Sequence, residues 1–277
     1  MPVTALSNEQ VRGFYEDGYV IVPALFDREE IDLLGRAARQ DKALADAAYE
    51  RPDGEGGRAK LAVWNHPGDD LYGLFSRSRR IVENVERLLG EECYHWHSKM
   101  NMKEPRVGGA WAWHQDYGYW YHNYCLFPKL VSVFIALDPA TRANGCLQVL
   151  RGSHHLGRLD HARKEGEQAG ADPERVAQAV ERLELVYCEQ SPGDAIFFHS
   201  NLLHRSDRNN SDAPRWSLIC CYNARSNSPY KETRHPAYTP IAKVEDDAIK
   251  NAGLKRFGDT SASFITARAG GAAIGSS

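Results

Sequence analysis

Hydrophobic and polar positions follow two different periods along the chain, and the change between them comes near residue 93. Before it, apolar residues recur every three or four positions, which is typical of amphipathic helices. Two of these runs begin with a capping box, in which a polar residue at the helix start is followed three positions later by Glu or Gln. The boxes are Ser7 with Gln10 and Asp27 with Glu30. We therefore predict helices at the start of the chain, a further helix at 81–89, a short strand at 19–22 and a Gly-rich loop at 51–58.

After residue 93 the period falls towards two, and runs of β-branched and aromatic residues alternate with turn residues. These runs predict strands at 95–103, 130–137, 146–150, 185–188, 195–198 and 216–222. A charged helix interrupts the series, where Asp172 caps the helix and Pro173 takes its first position. Helices followed by many short strands predict a mainly β fold with flanking helices, either a β-sandwich or a jelly roll.

The length of the chain and the absence of a clear linker predict a single domain over residues 1–277. A chain of 277 residues suits one β-rich domain or two small ones, and neither an internal repeat nor a clear linker divides it. We expect a helical part over about 1–93, a jelly-roll core over about 94–223, and a C-terminal loop and tail over 224–277 that is loose from about residue 260.

Composition and charge argue against several functional classes. The formal charge of −3 provides no overall attraction to nucleic acid or to an anionic membrane. The first residues lack the pattern of a secretory signal, and no run approaches the roughly 20 apolar residues of a membrane span. The six cysteines form no Cys-x-x-Cys pair, which favours reduced, buried thiols over disulfides or zinc. We expect a cytoplasmic protein with a small-molecule partner, and neither nucleic acid nor membrane as a partner.

A His-x-Asp pair, His114 and Asp116, is followed about 90 positions later by His204. Two imidazoles and one carboxylate form the facial triad that holds Fe(II) and leaves three coordination positions open. Residues two apart on a strand point the same way, so one strand end is expected to present both members of the pair. His204 is then expected on a strand at the other side of the barrel. A His-x-Asp pair also occurs by chance, and an isolated histidine is more often a hydrogen-bonded core or surface residue, so the context decides.

Arg215 lies eleven positions after His204. A guanidinium there suits a carboxylate of an organic acid bound at the metal, because it can donate two parallel hydrogen bonds. The alternative is an ordinary surface salt bridge.

The surrounding motifs resemble those of the phytanoyl-CoA dioxygenase family, in order and in spacing, over about residues 11–222. They are Trp-His-Gln-Asp at 113–116, Asn-Gly-Cys-Leu-Gln-Val-Leu-Arg-Gly-Ser-His at 144–154, Pro-Gly-Asp-Ala-Ile-Phe-Phe-His at 192–199 and Leu-Leu-His-Arg-Ser at 202–206. The resemblance implies a double-stranded β-helix (a cupin-like jelly roll), Fe(II), the co-substrate 2-oxoglutarate and O₂.

The resemblance also implies roles for particular residues. His114, Asp116 and His204 match the iron ligands, and Arg215 matches the residue that binds the distal carboxylate of 2-oxoglutarate. Further co-substrate contacts are implied for Ser206, Lys99, Asn101 and Phe134. A carboxylate at position 116, where related halogenases have a small residue, favours hydroxylation over halogenation.

Candidate substrate contacts are less well defined. Tyr117 and Trp120 follow the His-x-Asp pair and either form a wall of the substrate pocket or pack in the core. Lys60 and Arg225 are candidates to bind an acidic substrate group, whereas His199 is interpreted as a hydrogen-bonding residue and not as a third imidazole ligand. Trp120 aligns with the ectoine-hydroxylase branch of the family, but that branch's signature is incomplete here. No basic cluster suited to coenzyme A is visible.

These observations favour a 2-oxoglutarate-dependent dioxygenase that hydroxylates an unactivated C–H bond of a small metabolite and releases succinate and CO₂. An alternative keeps the same cofactors but ends in desaturation, epoxidation or ring rearrangement. A non-catalytic metal-binding β-barrel is a third hypothesis. The triad and Arg215 argue against it together, because a protein without the reaction has no need of all four residues.

Overall fold

The computed structural model describes residues 5–53, 56–162 and 169–257. The strands are β1 Tyr19–Val22, β2 Tyr49–Pro52, β3 Arg58–Trp64, β4 Cys93–Lys103, β5 Trp111–His114, β6 Leu130–Ala136, β7 Leu147–Leu150, β8 His161–Ala162, β9 Gly170–Ala171, β10 Leu185–Cys188, β11 Ala195–His199, β12 His204–Ser206 and β13 Arg215–Ala224. The α-helices are α1 Asn8–Asp17, α2 Arg28–Gln40, α3 Lys42–Ala47, α4 Leu71–Arg77, α5 Arg79–Leu89, α6 Asp116–Trp120, α7 Pro173–Arg182 and α8 Ala248–Phe257.

Two antiparallel sheets form the expected double-stranded β-helix. The larger sheet has seven strands in the order β1-β11-β6-β13-β4-β3-β2, and the smaller has four in the order β10-β7-β12-β5. From β4 to β7 and again from β10 to β13, successive strands alternate between the two sheets, which is how a jelly roll winds.

The inner strands of the larger sheet bury both faces, and β6 is an example. Val131, Val133 and Ile135 pack with the helices in one apolar cluster, whereas Phe134 packs in a second cluster between the two sheets. Alternate residues of a strand point to opposite faces, so one strand serves two cores. The face between the sheets is the one that carries the site described below.

Both predicted capping boxes are confirmed. Ser7 Oγ accepts a hydrogen bond from the Gln10 backbone N–H at 3.1 Å, and the Gln10 side chain accepts one from the Ser7 N–H at 2.8 Å. Asp27 and Glu30 make the same reciprocal pair at the start of α2. The buried Glu30 carboxylate also accepts two hydrogen bonds of 2.9 Å from Arg80 on α5, which ties these two helices together.

The part expected to be helical also contains strands. β1, β2 and β3 all belong to the larger sheet, and β2 and β3 form a hairpin in which Glu50 lies opposite Lys60. The interpretation of 51–58 as a loop was therefore wrong at both ends, which are strand residues. All four residues of β2 are exposed, so no apolar alternation marked it in the sequence. The tail from residue 260 lies outside the described residues.

Two further expectations can be compared with the structure. All six cysteines are free and buried, as predicted. Among the described residues, no helix combines the length and the apolar character needed to cross a bilayer.

Stability of the metal-free protein is expected to fall in mild acid because of buried histidines. Burial lowers the pKa of His95 and of His199 from 6.5 to about 4. The unfolded chain therefore takes up a proton on each near pH 6.5, which the folded chain accepts only near pH 4. Their contribution to the free energy of unfolding is therefore fully present above pH 6.5. Between pH 6.5 and pH 4 it falls by roughly 1.4 kcal/mol per pH unit for each histidine.

Urea unfolding between pH 7 and pH 4 checks this. His199→Gln should show a shallower decline of unfolding free energy with falling pH than the unsubstituted chain. Identical slopes for the two proteins would contradict the assignment to this histidine.

Candidate metal centre and co-substrate site

The structure brings His114, Asp116 and His204 together in the interior. His114 is the last residue of β5, Asp116 is the first residue of α6, and His204 is the first residue of β12. One possible ligand atom from each lies within 4.8 Å of those from the other two, and all three residues are buried. Strands β5 and β12 are neighbours in the smaller sheet, with His114 directly opposite His204.

Two details of the expected arrangement were wrong. His114 and Asp116 do not share a strand, because the chain leaves β5 after His114 and enters a helix. His204 does not come from the other side of the barrel but from the adjacent strand. Gln115 fixes the turn between the two elements: its side-chain amide donates to the carbonyls of Gly157 and Asn201, each at 2.7 Å.

Both imidazoles present a free Nε2 atom. Nδ1 of His114 lies 2.7 Å from the Ala112 carbonyl, and Nδ1 of His204 lies 2.9 Å from the Leu202 carbonyl. A carbonyl only accepts, so each Nδ1 carries the proton and each Nε2 keeps its lone pair. Burial is the main cause that lowers the pKa of both rings, which keeps them neutral. A neutral imidazole whose second nitrogen donates to a carbonyl is the form that binds metals.

Asp116 is held as a carboxylate. Burial by itself raises the pKa of this group, but the Lys99 ammonium and the hydrogen bond from Ser132 act against it, and the pKa lies well below 3.8. The Lys99 ammonium lies 3.9 Å from Oδ1, and the Ser132 hydroxyl donates to Oδ2 at 2.6 Å. The donor set is thus two neutral nitrogens and one anionic oxygen, which fits Fe(II).

Ser132 was not predicted from sequence, because it stands within an apolar β run as an inconspicuous strand residue. Removing its hydroxyl in Ser132→Ala frees the carboxylate to rotate, so metal affinity should fall roughly 10–100-fold. Competitive metal titration with a chelating dye measures this. The matched control is Ser98→Ala, which removes a buried hydroxyl that contacts His95 at 2.8 Å and not Asp116. Equal affinities in the two variants would contradict the role of Ser132.

Arg215 lies buried in the same interior, with only 1% of its surface exposed. It donates to the Gly145 carbonyl at 2.9 Å and to the Ser217 hydroxyl at 3.4 Å, and its Nε has no hydrogen-bond partner among the described residues. Burial lowers its pKa to about 10, so it remains charged at neutral pH. A buried cation without a carboxylate partner is destabilising unless an anion joins it. The residues present therefore fit a bound organic acid.

Ser206 lies beside this cation and is oriented by Lys103, a second residue that the sequence reasoning missed. The buried Lys103 ammonium donates to the Ser206 hydroxyl oxygen at 2.8 Å and also to the Asp207 carbonyl. Burial, with Arg215 nearby, lowers the pKa of Lys103 well below 10.5, but its nitrogen is the donor in both contacts, so the Ser206 proton is left for another acceptor. Alternation along β4 provided a signal, since Lys99, Asn101 and Lys103 share one strand face.

The triad and the Arg215 end open into one cavity of about 800 Å³, within the range of small-molecule sites. Of the residues expected there from sequence, the lining includes Lys99, Asn101, Phe134, Ser206 and Trp120. The Phe134 ring centre lies 5.6 Å from the Arg215 guanidinium carbon.

Three substrate contacts expected from sequence were wrong, because Tyr117, Lys60 and Arg225 do not line the cavity. The Tyr117 hydroxyl donates to main-chain carbonyls of Cys125 and Leu126 within the core. Lys60 alternates with Leu61 and Val63, which line the cavity, so Lys60 belongs to the opposite face of β3. Arg225 pairs with Glu92 at 3.0 Å on the surface.

His199 lies outside the triad, in agreement with its interpretation. Its Nδ1 accepts a hydrogen bond of 3.0 Å from the Asn201 N–H, and its ring packs beside His154 with ring centres 5.3 Å apart.

Comparison with known proteins agrees with this geometry. The family model "Phytanoyl-CoA dioxygenase (PhyH)" matches residues 14–217. The chain belongs to the phytanoyl-CoA dioxygenase family. It is therefore an Fe(II)/2-oxoglutarate-dependent dioxygenase, with Fe(II) and 2-oxoglutarate as cofactor and co-substrate, as the sequence predicted.

Relatives of this family member include hydroxylases of small molecules. L-proline trans-4-hydroxylase of Streptomyces griseoviridis is 29% identical over 243 residues, which cover 80% of this chain and 87% of the relative. Ectoine dioxygenase of Sphingopyxis alaskensis is 29% identical over 237 residues, covering 80% and 77%.

Solved structures share the fold. EctD from S. alaskensis with bound Fe has a TM-score of 0.73 at 24% identity, covering 87% of this chain and 88% of that one. The carbocyclase SnoK from nogalamycin biosynthesis has a TM-score of 0.64 at 20% identity, covering 90% and 98%.

Proposed function

We propose that this family member hydroxylates an unactivated C–H bond of a small-molecule metabolite, consuming 2-oxoglutarate and O₂ and releasing succinate and CO₂. One observation carries the proposal. A donor set suited to Fe(II) and the buried Arg215, which has no carboxylate partner among the described residues, face the same cavity. A ligand with a keto-acid end and a distal carboxylate requires this arrangement.

Each residue has a defined part in this proposal. His114, Asp116 and His204 would hold Fe(II), which when bound would activate O₂, the oxidant of the reaction. The triad's net charge of −1 offsets part of the charge of the ion, and burial keeps competing water away from the donor atoms.

At the far end, Arg215 binds the distal carboxylate of 2-oxoglutarate through its guanidinium. Ser206 donates the proton that Lys103 leaves free, so that this carboxylate receives three hydrogen bonds. Phe134 packs against the carbon chain of the co-substrate, and Lys99 and Asn101 contact it from β4. This spacing selects a dicarboxylate of one length, because a shorter acid cannot reach both ends.

A small-molecule substrate is supported by the relatives, which act on L-proline and on ectoine by name. Trp120 forms part of the substrate wall in this proposal. It lines the cavity, and its ring centre lies 5.6 Å from that of His97, another lining residue.

Succinate release by the purified protein with Fe(II), ascorbate and 2-oxoglutarate tests the proposal. We expect slow release without a prime substrate, faster release when a metabolite panel includes the right one, and a product heavier by one oxygen atom. A product lighter by two hydrogen atoms would redirect the proposal to desaturation. Absence of 2-oxoglutarate binding to metal-loaded protein by calorimetry would overturn it.

A further inference from the structure

The charges lining the cavity are unbalanced. Asp116 is the only carboxylate among the described lining residues, and the Lys99 ammonium already faces it at 3.9 Å. Against this single anion, the lining carries five cationic side chains, Arg51, Lys99, Arg205, Arg215 and Arg234. A cavity with this balance attracts anions and repels cations.

Three of these cationic side chains have a partner within the protein or a role in binding the co-substrate. Lys99 faces Asp116, and Arg215 has the distal carboxylate of the co-substrate. Arg205 donates from Nε to Gln148 at 2.9 Å and lies 3.7 Å from the Asp207 carboxylate. Arg51 and Arg234 remain for the other ligand of the cavity.

Neither Arg51 nor Arg234 pairs its guanidinium with a carboxylate of the described residues. Arg51, on β2, lies over the Tyr49 ring at 5.4 Å. Arg51 and Tyr49 alternate with Glu50 along β2, so both lie on the strand face that lines the cavity.

Arg234 comes from the segment after β13 and is fixed through its main chain. Its carbonyl accepts a hydrogen bond of 2.7 Å from the Asn65 side chain. The neighbouring His235 ring stacks on Trp96 with ring centres 4.3 Å apart. These two contacts hold the main chain at Arg234 beside the cavity, and the exposed guanidinium forms no ion pair with any described residue.

Apolar and aromatic side chains provide much of the remaining wall. They include Leu61, Val63, Trp64, Trp111, Tyr119 and Trp120. Such surfaces bind the apolar or planar part of a substrate favourably, because its burial removes apolar area from water. Among the described lining residues, an ammonium group on the substrate would find no carboxylate other than Asp116, which Lys99 already faces, and this disfavours amines and zwitterions.

We propose that the prime substrate is a carboxylic acid with an apolar or aromatic body and no free amino group, and that Arg51 and Arg234 bind its carboxylate. This rests on the proposed function, and it differs from the zwitterionic L-proline after which one relative is named. The sequence reasoning looked for cations facing an acidic group at Lys60 and Arg225, and the structure offers these two arginines in their place.

Binding of matched probes tests the inference. Each set comprises a carboxylate, its amide and the corresponding primary amine on the same body, such as 3-phenylpropanoate, 3-phenylpropanamide and 3-phenylpropylamine, with an indole set and an octanoyl set beside it. Calorimetry is done without O₂ on protein loaded with Fe(II) and 2-oxoglutarate. In at least one set we expect the acid to bind about tenfold or more tightly than the amide, and the amine more weakly still.

Arg51→Gln and Arg234→Gln should each lower the ratio of acid to amide affinity about three- to tenfold. The controls are Arg58→Gln, on the same hairpin but paired with Glu50 at 3.1 Å, and Lys231→Gln; both should keep the full ratio.

Two failures are distinguishable. Protein that binds no 2-oxoglutarate overturns the proposed function. Three outcomes overturn the inference alone when the protein does bind 2-oxoglutarate. The protein binds no acid, it binds the amide or amine as tightly as the acid in every set, or both arginine variants keep the full ratio of acid to amide affinity.

Discussion

Alanine at position 116 is expected to abolish iron retention and 2-oxoglutarate turnover. Asp116 is the only anionic donor of the triad, and without it two neutral imidazoles would share the site with the Lys99 ammonium, now without its carboxylate. A dication would then meet a positive neighbour in a buried site. We expect metal binding to weaken on the order of 100-fold or more, and succinate release to fall to background.

Metal content after gel filtration and succinate release measure the two effects. His199→Gln is the matched control, since it alters a buried histidine on β11 that lies outside the triad. It should keep both iron and turnover. Turnover by Asp116→Ala at the level of this control would show that the iron site has been assigned to the wrong residues.

Methionine in place of Arg215 is expected to raise the Kd for 2-oxoglutarate about 10²- to 10³-fold. The substitution removes two or more charge-assisted hydrogen bonds to the distal carboxylate, together roughly 3–4 kcal/mol. Methionine keeps much of the volume and removes a buried charge that lacks a carboxylate partner, so the fold should be retained. Calorimetry on metal-loaded protein provides the affinities.

A shorter ligand separates this effect from general damage. Pyruvate has the same keto-acid end as 2-oxoglutarate but no distal carboxylate, so its weak binding should be the same with Arg215 or with methionine. An equal loss of affinity for both acids would contradict the assigned role, because the damage would then not depend on the second carboxylate.

The sequence predicted those features that depend on neighbours along the chain. The capping boxes at Ser7 and Asp27 involve residues three apart, so the helices could be located before the structure was seen. Core strands such as β6 and β11 are mainly apolar runs, whose burial on both faces leaves a strong compositional signal. The triad was recognisable because the motifs around it occur in a recognisable order.

Features that depend on pairing between distant segments could not be predicted. The β2–β3 hairpin is exposed along β2, so nothing in its own composition marked Arg51 as a strand residue facing the cavity. Ser132 contacts Asp116 from 16 residues away in the sequence, and Lys103 contacts Ser206 from 103 residues away. Lys60 was chosen as a cation near the site, but without the register its face of the strand could not be known.

Strand β5 carries one proposed ligand at the edge of the four-stranded sheet, beside its register partner on β12. An ion shared by the two histidines therefore fastens an edge strand to its neighbour. Because only molecules with β5 docked present both imidazoles, the apparent affinity for iron is the intrinsic affinity multiplied by the docked fraction. A substitution that weakens the pairing of Trp111 with Ser206 would consequently lower the occupancy of the iron site, and a higher concentration of iron would restore it.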